Sequence, residues 1–321
     1  KDFTIRYKEL YSSKYINLDF HTIPHYGDDS SMEKVWAGAK GKCIRGANTL
    51  FAQDANSDLI LYTKADILRK NETDEILGFV KYWKKIQGRD LDETLVFDCK
   101  LTSYKVLGEL DEDNVKFITL RKRNQNLIKY AYSVDKSKWE KIKLDIKKRK
   151  YPKFNVFTEE IELNGIKKPV RQIIITGNGR ENPTFIITND KSLKIKNICE
   201  VYARRWHIEN KFSEYVSFFN LNALSSPLMI RIHFDIIWTV ISDTIYKLFK
   251  RDLSRFEDMK ASTIFRKFID TPGKIKFDGK QIKIVVRKRS TTPILKSIAK
   301  LNQSQKIPWL GNYELIFEWA S

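Results

Sequence analysis

Cysteine, histidine and methionine are scarce in this sequence: its 321 residues include three Cys, four His and three Met. The cysteines, Cys43, Cys99 and Cys199, are odd in number, lie far apart and form no C-x-x-C pair. This pattern argues against a disulfide framework and against a cysteine-based zinc site. It is typical of a protein from a reducing compartment.

Long uninterrupted hydrophobic segments are also missing. The most apolar stretch is residues 228–249, and four polar side chains interrupt it: Arg231, His233, Asp235 and Asp243. Because a bilayer core requires about 20 consecutive apolar residues, we do not predict a membrane span there. The first residues do not have the pattern of a signal peptide. The chain begins at Lys1 rather than Met, so we expect a preceding segment to be missing.

Acidic residues are outnumbered by basic ones. The chain has 59 Lys and Arg against 40 Asp and Glu, which gives a net charge of +19. Such a surplus indicates an anionic partner, with nucleic acid the first candidate and a membrane surface the second. Hydrophobic residues make up 42% of the chain, and this excludes general disorder. The length suits two domains, or one domain with an insertion.

Hydrophobic periodicity predicts alternating strands and helices in the first third of the chain. The predicted strands are residues 15–22, 49–53, 59–63, 94–98 and 115–120, and the predicted helices are 74–86 and 103–110. This alternation predicts a mixed α/β core.

Residues 136–153 form a basic run with nine Lys or Arg and two acids. Strands are predicted after it, at 155–163, 170–176 and 184–188, with glycine-containing turns between them. We therefore predict a β-rich insertion. The predicted divisions are 1–123 (first part of the core), 124–190 (insertion) and 191–321 (second part, with C-terminal helices and a strand pair). Within the last part, helices are predicted at 192–219, 227–253 and 294–301, and a strand pair around 278–279.

Three acids stand out by position. Asp19 lies inside the first strand, Asp98 ends the 94–98 strand, and Glu209 lies in the middle of a predicted helix. An acid at the end of an apolar strand is costly to bury unless it faces a partner or a metal. Three such carboxylates can hold two divalent cations for phosphoryl transfer. Two simpler interpretations stay open: Asp98 caps the next turn, and Glu209 forms a surface ion pair with Arg205.

Candidate DNA contacts come from basic and aromatic residues. Lys and Arg neutralise phosphates, and aromatic rings stack on unpaired bases. The alternative for the basic run is a solvated loop. The candidates are Trp139, Lys147, Lys148 and Arg149 in the run, and Arg121, Lys122 and Arg123 after the 115–120 strand.

The run YARRWHIENKF resembles the signature helix of insertion-sequence DDE transposases, which is Tyr, two residues, Arg, three residues, Glu, six residues, Lys. Tyr202, Arg205 and Glu209 match it, but the Lys position holds Val216. On one continuous helix these four positions share a face. The segments YINLDFHTIPHYG, TLVFDCKLTSYKVLGEL and VKFITLRKR resemble the strands that carry the family's two Asp residues and the strand that follows. The resemblance extends over about residues 15–290.

The resemblance implies an RNase H-like mixed sheet flanked by helices, with a β-rich insertion before the last catalytic helix. Asp19, Asp98 and Glu209 would hold two Mg²⁺, for which Mn²⁺ can substitute. Water would attack at the element end, and the freed 3′-hydroxyl would attack target DNA. Tyr202 and Arg205 would contact phosphates near the cleaved end. Val216 removes one such contact.

The implied partners are double-stranded DNA, both element ends and target, and a second copy of the chain in a homodimer on DNA. The implied location is the cytoplasm of a bacterial or archaeal cell, in association with DNA. Transposases of this kind carry an N-terminal DNA-binding region, and we expect it to be removed, lost or supplied by a partner.

Two other functions compete with a catalytic transposase. One is a transposase-derived DNA-binding protein that does not cut, which Val216 favours and the three retained acids oppose. The other is a related RNase H-like nuclease, against which the Tyr-Arg-Glu helix argues. Cleavage without strand transfer would distinguish the nuclease from the transposase.

Overall fold

The structure is a computed structural model that describes residues 2–26, 32–37, 41–147, 149–223, 226 and 228–320. The helices are α1 (Asp2–Arg6), α2 (Glu75–Gln87), α3 (Tyr104–Glu112), α4 (Gln125–Ser133), α5 (Ile195–Arg204), α6 (His207–Ser217), α7 (Met229–Arg251), α8 (Ala261–Ile264) and α9 (Thr292–Ser297). The strands are β1 (Tyr15–Pro24), β2 (Lys34–Ala37), β3 (Lys42–Asp54), β4 (Ile60–Lys64), β5 (Thr94–Phe97), β6 (Phe117–Leu120), β7 (Glu140–Lys143), β8 (Lys153–Ile161), β9 (Val170–Thr176), β10 (Thr184–Thr188), β11 (Gly273–Asp278), β12 (Gln281–Arg287), β13 (Gln305–Ile307) and β14 (Tyr313–Ala320).

Ten strands of the described chain form one mixed sheet in the order β2-β3-β1-β5-β6-β10-β9-β8-β7, with β4 paired to β3. β1 is antiparallel to β3, whereas β1, β5 and β6 run parallel to one another. Parallel neighbours need a crossover connection, and α2 and α3 lie in these connections. The predicted α/β class, a mixed sheet flanked by helices, is confirmed.

Helix α2 shows how the sequence pattern produces this packing. Its buried side chains recur at helical spacing and are Ile76, Phe79, Val80, Trp83 and Ile86. The helix ends at Gly88, whose φ of 70° is left-handed, and the Gly88 N–H donates to the Lys84 carbonyl. The predicted helix 74–86 is confirmed.

Helices cover both faces of the sheet. On one face, Ile198 and Cys199 of α5 pack with Ile173, Ile175 and Ile186. On the other face, α4 packs through Ala131 against Ile174 and Phe185. Neighbouring residues of β9 and β10 alternate between these clusters because successive side chains on a strand point to opposite faces.

The predicted 124–190 segment contains one helix, α4, and four strands. Its strands continue the core sheet, because β10 pairs antiparallel with β6 and β7–β9 follow outward. Helix α4 was not predicted, and strand β7 lies within the basic run. The three-part division of the chain stays a prediction.

The predicted helix over 192–219 is interrupted. Helix α5 ends at Arg204 and α6 begins at His207, with Arg205 and Trp206 in a turn between them. The backbone makes tight i→i−3 hydrogen bonds here, from Arg205 N–H to Tyr202 O and from Ile208 N–H to Arg205 O. A single helical face joining Tyr202 to Val216 was therefore the wrong expectation. This turn positions Arg205 between the two helices.

The chain divides into two compact units. Unit 1 is residues 1–216 and 220–237, and unit 2 is residues 217–219 and 238–321. Unit 2 has its own four-stranded sheet, in the order β11-β12-β14-β13. Its small core is formed around Leu253, Ile264, Phe268 and Leu295. The predicted strand pair around 278–279 is confirmed as β11 and β12. No helix in the described ranges has the length and apolar character needed to cross a bilayer.

Candidate active site

Asp19 lies in β1, and Asp98 directly follows the adjacent parallel strand β5 at the matching position. In the β1–β5 pair, Leu18 lies opposite Phe97, and each of these buried residues is followed directly by one of the two acids. Neighbouring strands lie about 4.8 Å apart. The fold therefore brings together two carboxyl groups that are 79 positions apart in the sequence.

The Asp98 backbone is anchored by two buried threonines. Its carbonyl oxygen accepts hydrogen bonds from Thr102 Oγ1 at 3.3 Å and Thr119 Oγ1 at 3.4 Å, and the two hydroxyls are 2.7 Å apart. Asp98 Oδ1 also accepts the Lys100 N–H at 2.8 Å. Asp98 therefore caps the following turn, as one of the two simpler interpretations proposed, while Oδ2 has no protein partner among the described hydrogen bonds.

Arg205 joins the other two acids. Its Nη1 lies 2.7 Å from Asp19 Oδ2, and its Nη2 lies 2.8 Å from Glu209 Oε1. The Arg205 side chain is 12% exposed and that of Asp19 16%, whereas Glu209 is 58% exposed. The ion pair expected between Arg205 and Glu209 is present, but it is one half of a bridge that reaches the buried Asp19.

The electrostatics of this bridge are dominated by burial. Burial raises the pKa of Asp19 to about 6, although Arg205 lowers it; Asp98 and Glu209 raise it further. Burial by itself lowers the pKa of Arg205, but Asp19 and the other nearby acids raise it above its ordinary value. The guanidinium therefore stays charged. The ionised form of Asp19 is disfavoured by burial and favoured by Arg205.

Tyr202 lies next to this cluster at the end of α5. Its ring centroid is 5.8 Å from the Arg205 guanidinium carbon. Burial raises the pKa of Tyr202 to about 12, with Asp98 raising it and Arg205 and Arg180 lowering it. The hydroxyl therefore keeps its proton at neutral pH. Arg180 follows the turn after β9, and its positive charge lowers the pKa of Tyr202, although no sequence motif indicated this residue.

The three basic residues after β6 lie in different surroundings. Arg121 is half-buried, with Nη1 donating to Gln172 Oε1 at 2.8 Å. Lys122 and Arg123 are exposed. Both lower the pKa of Cys99, which burial and then Asp98 raise. Lys122 and Arg123 thus lie close to the Asp98 turn, whereas Arg121 contributes to the packing of the sheet.

The residues predicted in the basic run are dispersed. Lys147 is exposed, Arg149 is half-buried with Nε donating to Tyr151 O, and Lys148 lies outside the described residues. Trp139 packs against Phe157, with ring centroids 6.0 Å apart, in the cluster that holds α4. The Trp139 ring therefore belongs to the core face opposite α5.

Val216 occupies the position at which the family signature has a lysine. Val216 is half-buried near the end of α6. Lys211, the closest lysine on that helix, has a 10% exposed side chain, lies 3.7 Å from Glu214 and stacks over the Tyr215 ring. Lys211 therefore does not replace the missing lysine.

The three acids suit a divalent metal ion by their chemistry but not by their arrangement in this structure. Carboxylate oxygens are the ligands that Mg²⁺ prefers, so the residue types of Asp19, Asp98 and Glu209 suit it. In the part of the chain that the structure describes, however, no group of three or more His, Cys, Asp and Glu side chains is arranged to hold a metal ion. Arg205 occupies the carboxylates of Asp19 and Glu209 instead.

The helix-flanked mixed sheet and the acids that follow Leu18 and Phe97 agree with the sheet and the acid positions that the sequence predicted. The family model for the transposase DDE domain matches residues 16–242 of this sequence. The chain belongs to this transposase DDE domain family. The matched segment includes all three acids.

One solved structure with a related arrangement is the piggyBac transposase synaptic complex with hairpin DNA, determined by cryo-electron microscopy. The two chains are 10% identical, with a TM-score of 0.42. The similarity covers 76% of this chain and 51% of the other, so it spans about half of that transposase. No curated protein is significantly similar to this sequence.

Proposed function

We propose that this chain cuts and joins DNA strands at the ends of a transposable element, with Asp19, Asp98 and Glu209 as its divalent-metal ligands. The observation that carries the proposal is that Asp19 and Asp98 each directly follow one residue of the parallel pair Leu18–Phe97. Arg205 in turn links Glu209 to Asp19. Membership of the transposase DDE domain family supports it.

Mg²⁺, or Mn²⁺ in its place, would polarise the scissile phosphate and activate the attacking oxygen. The protein's own groups prepare the site for an anion. Lys122 and Arg123, exposed beside the Asp98 turn, attract the DNA backbone. The protonated Tyr202 hydroxyl can donate a hydrogen bond to a phosphate oxygen. Asp19 holds a proton at its carboxyl below about pH 6, so its ionised form dominates above that value.

The substrates in this proposal are duplex element ends and duplex target DNA. Joining two ends in one reaction requires two active sites, so we propose a homodimer assembled on DNA. The net charge of +19 supports DNA as the substrate, because a basic protein attracts a polyanion.

The test is nicking of supercoiled plasmid by the full chain with Mg²⁺ or Mn²⁺. We expect wild-type protein to nick, and Asp19→Asn, Asp98→Asn and Glu209→Gln each to lose at least 100-fold in rate. Glu162→Gln, which removes an exposed acid on the β8–β9 connection, is the matched control and should nick normally. Equal nicking by all four variants would refute the assignment of the three acids.

A DNA-binding protein without cleavage is the second candidate. Two observations favour it: Val216 at the signature lysine position, and the Arg205 bridge that occupies two of the three carboxylates. It predicts tight plasmid binding with no nicking by wild-type protein in either metal. The same assay therefore separates the two functions.

A further inference from the structure

The Arg205 guanidinium lies between the Asp19 and Glu209 carboxylates, as a bound cation would. Two different nitrogens of Arg205 reach two carboxylates, at 2.7 and 2.8 Å, and the guanidinium is almost fully buried. A metal that drew these carboxylates together would have to displace the guanidinium. Two charge-assisted hydrogen bonds hold the guanidinium, so a metal has to break both of them to take its place.

We propose that Arg205 is a gate: in the DNA-free protein it holds Asp19 and Glu209 in place of a divalent metal, and a DNA phosphate releases them by drawing the guanidinium away. This proposal rests on the proposed function, because it concerns access to the same three acids. It assigns Arg205 a positioning role before any strand is cut.

The location of Arg205 suits an exchange of partners. It lies in the turn between α5 and α6, outside both helices, so its movement does not require a helix interior to deform. Guanidinium binds phosphate in the same two-pronged geometry as carboxylate, so a phosphate can replace the lost ion pairs. The Tyr202 ring, 5.8 Å away, adds a face on which the moving guanidinium can stack.

The gate predicts a coupling between two ligands. DNA that withdraws Arg205 raises metal affinity, and metal must then raise DNA affinity by the same factor. A merely structural bridge predicts no such coupling. In that case, loss of Arg205 would disorder the carboxylates and weaken metal binding.

The test measures Mn²⁺ binding by calorimetry, with and without a short blunt DNA duplex. Without DNA, we expect Arg205→Gln to bind Mn²⁺ at least tenfold more tightly than wild type, and Arg205→Lys, which can bridge only one carboxylate well, to fall between them. Duplex should tighten Mn²⁺ binding by wild type and leave Arg205→Gln unchanged. Arg204→Gln, the exposed neighbour, is the control and should behave as wild type.

Mn²⁺ binding by Arg205→Gln that equals or falls below that of wild type, with an unchanged thermal melt, overturns the gate. If nicking of plasmid still needs metal in that case, the proposed function survives without the gate. If Arg205→Gln gains Mn²⁺ affinity but no DNA is ever cut, the gate survives and the catalytic function fails.

A second inference comes from unit 2, where five cations form a cluster: Arg266, Lys267, Arg287, Lys288 and Arg289. All five are exposed, and among the described residues no carboxylate lies within 4 Å of any of them. Hydrogen bonds hold the two segments together, from Arg289 Nη1 to Arg266 O at 3.2 Å and from Thr291 Oγ1 to Lys267 O at 3.0 Å. The fold thus concentrates like charges from segments 20 residues apart.

We infer that this cluster of unit 2 binds the phosphate backbone of duplex DNA. Unit 2 holds 17 Lys and Arg against 8 Asp and Glu, so +9 of the net charge resides in 87 residues. DNA phosphates neutralise such a group of cations, and release of the counterions condensed on the DNA favours the association.

The test measures the salt dependence of duplex DNA binding by fluorescence anisotropy. The variant R287Q/K288Q/R289Q should weaken binding at least tenfold and reduce the slope of log affinity against log salt by about 2 to 3, one unit for each lost phosphate contact. K274Q/K276Q/K280Q, which removes three exposed lysines around β11, is the matched control and should change the slope by less than about 1. If both variants lose the same amount of DNA affinity, the cluster is not a defined DNA contact. If the R287Q/K288Q/R289Q variant binds DNA normally but no longer binds anionic lipid vesicles, the cluster binds membranes instead.

Discussion

At the scale of single residues, Asp19 carries the largest electrostatic strain in the site. It lies within a strand, its side chain is 16% exposed, and its pKa is raised to about 6 because burial outweighs the attraction of Arg205. A carboxyl group whose folded pKa exceeds its unfolded value opposes folding when it is ionised. The protein thus keeps a costly charge at this position, which is typical of sites selected for function.

The first prediction concerns Asp19→Asn in metal-free buffer. Between about pH 4 and 6 the folded protein binds more protons than the unfolded chain, so wild-type stability falls as pH rises through this window. Asn carries no charge to bury. We expect the variant to be more stable at pH 8 by roughly 2 kcal/mol, and the difference to shrink towards pH 4.

Urea unfolding of both proteins at pH 4.5, 6 and 8 measures this difference. An Asn variant that is less stable than wild type at pH 8 would mean that the Arg205 ion pair outweighs the burial of Asp19. A difference that stays constant with pH would mean that Asp19 does not titrate in this range.

At the scale of helices, two glycines within helices have opposite surroundings. Gly108 of α3 lies against the turn at Gly165, and a Cβ added to it would come within 1.8 Å of the Gly165 carbonyl oxygen. Gly78 of α2 is exposed, and an added Cβ would meet only the Glu75 side chain, at an ordinary 3.5 Å. The close approach of the Gly165 backbone explains why position 108 holds glycine. Nothing in the structure requires glycine at position 78.

The second prediction is that Ala has opposite effects at these two positions. Gly108→Ala should destabilise the protein by about 1 to 3 kcal/mol, because α3 and the 165 turn must separate. Gly78→Ala should stabilise it by roughly 0.5 to 1 kcal/mol, because Ala loses less backbone entropy in a helix. Thermal melts of the two single variants provide each other's control, and a shift in the same direction for both would contradict the packing of α3.

At the scale of the whole molecule, charge is shared between two compact units. Unit 1 holds the three acids, and unit 2 adds its own sheet, core and basic cluster. A net charge of +19 should make DNA binding strongly electrostatic.

The third prediction is that duplex affinity of the full chain falls by about 1,000-fold or more between 50 and 200 mM salt, as expected for at least six phosphate contacts. Anisotropy titrations at several salt concentrations measure the slope. A slope below about 2 would show that the surplus charge is spread over surfaces that DNA does not touch.

Local pattern was sufficient to predict much of unit 1. Apolar strand patterns predicted β1 and β5, and the parallel pairing of Leu18 with Phe97 then placed Asp19 near Asp98. Periodicity likewise predicted α2, whose buried face recurs every three to four residues. These features follow from short stretches of sequence, because strand and helix periods are local properties.

Only the tertiary structure decided the rest. The Arg205 bridge joins residues 186 positions apart, and the turn that breaks the predicted 192–219 helix has no glycine or proline to announce it. The basic cluster of unit 2 likewise forms because the segment after β12 returns beside Arg266 and Lys267. The sequence by itself determined elements with a strong local period, such as β1, β5 and α2, and it marked the three acids. Long-range pairing determined which charges meet, because Coulomb energies depend on distances in space.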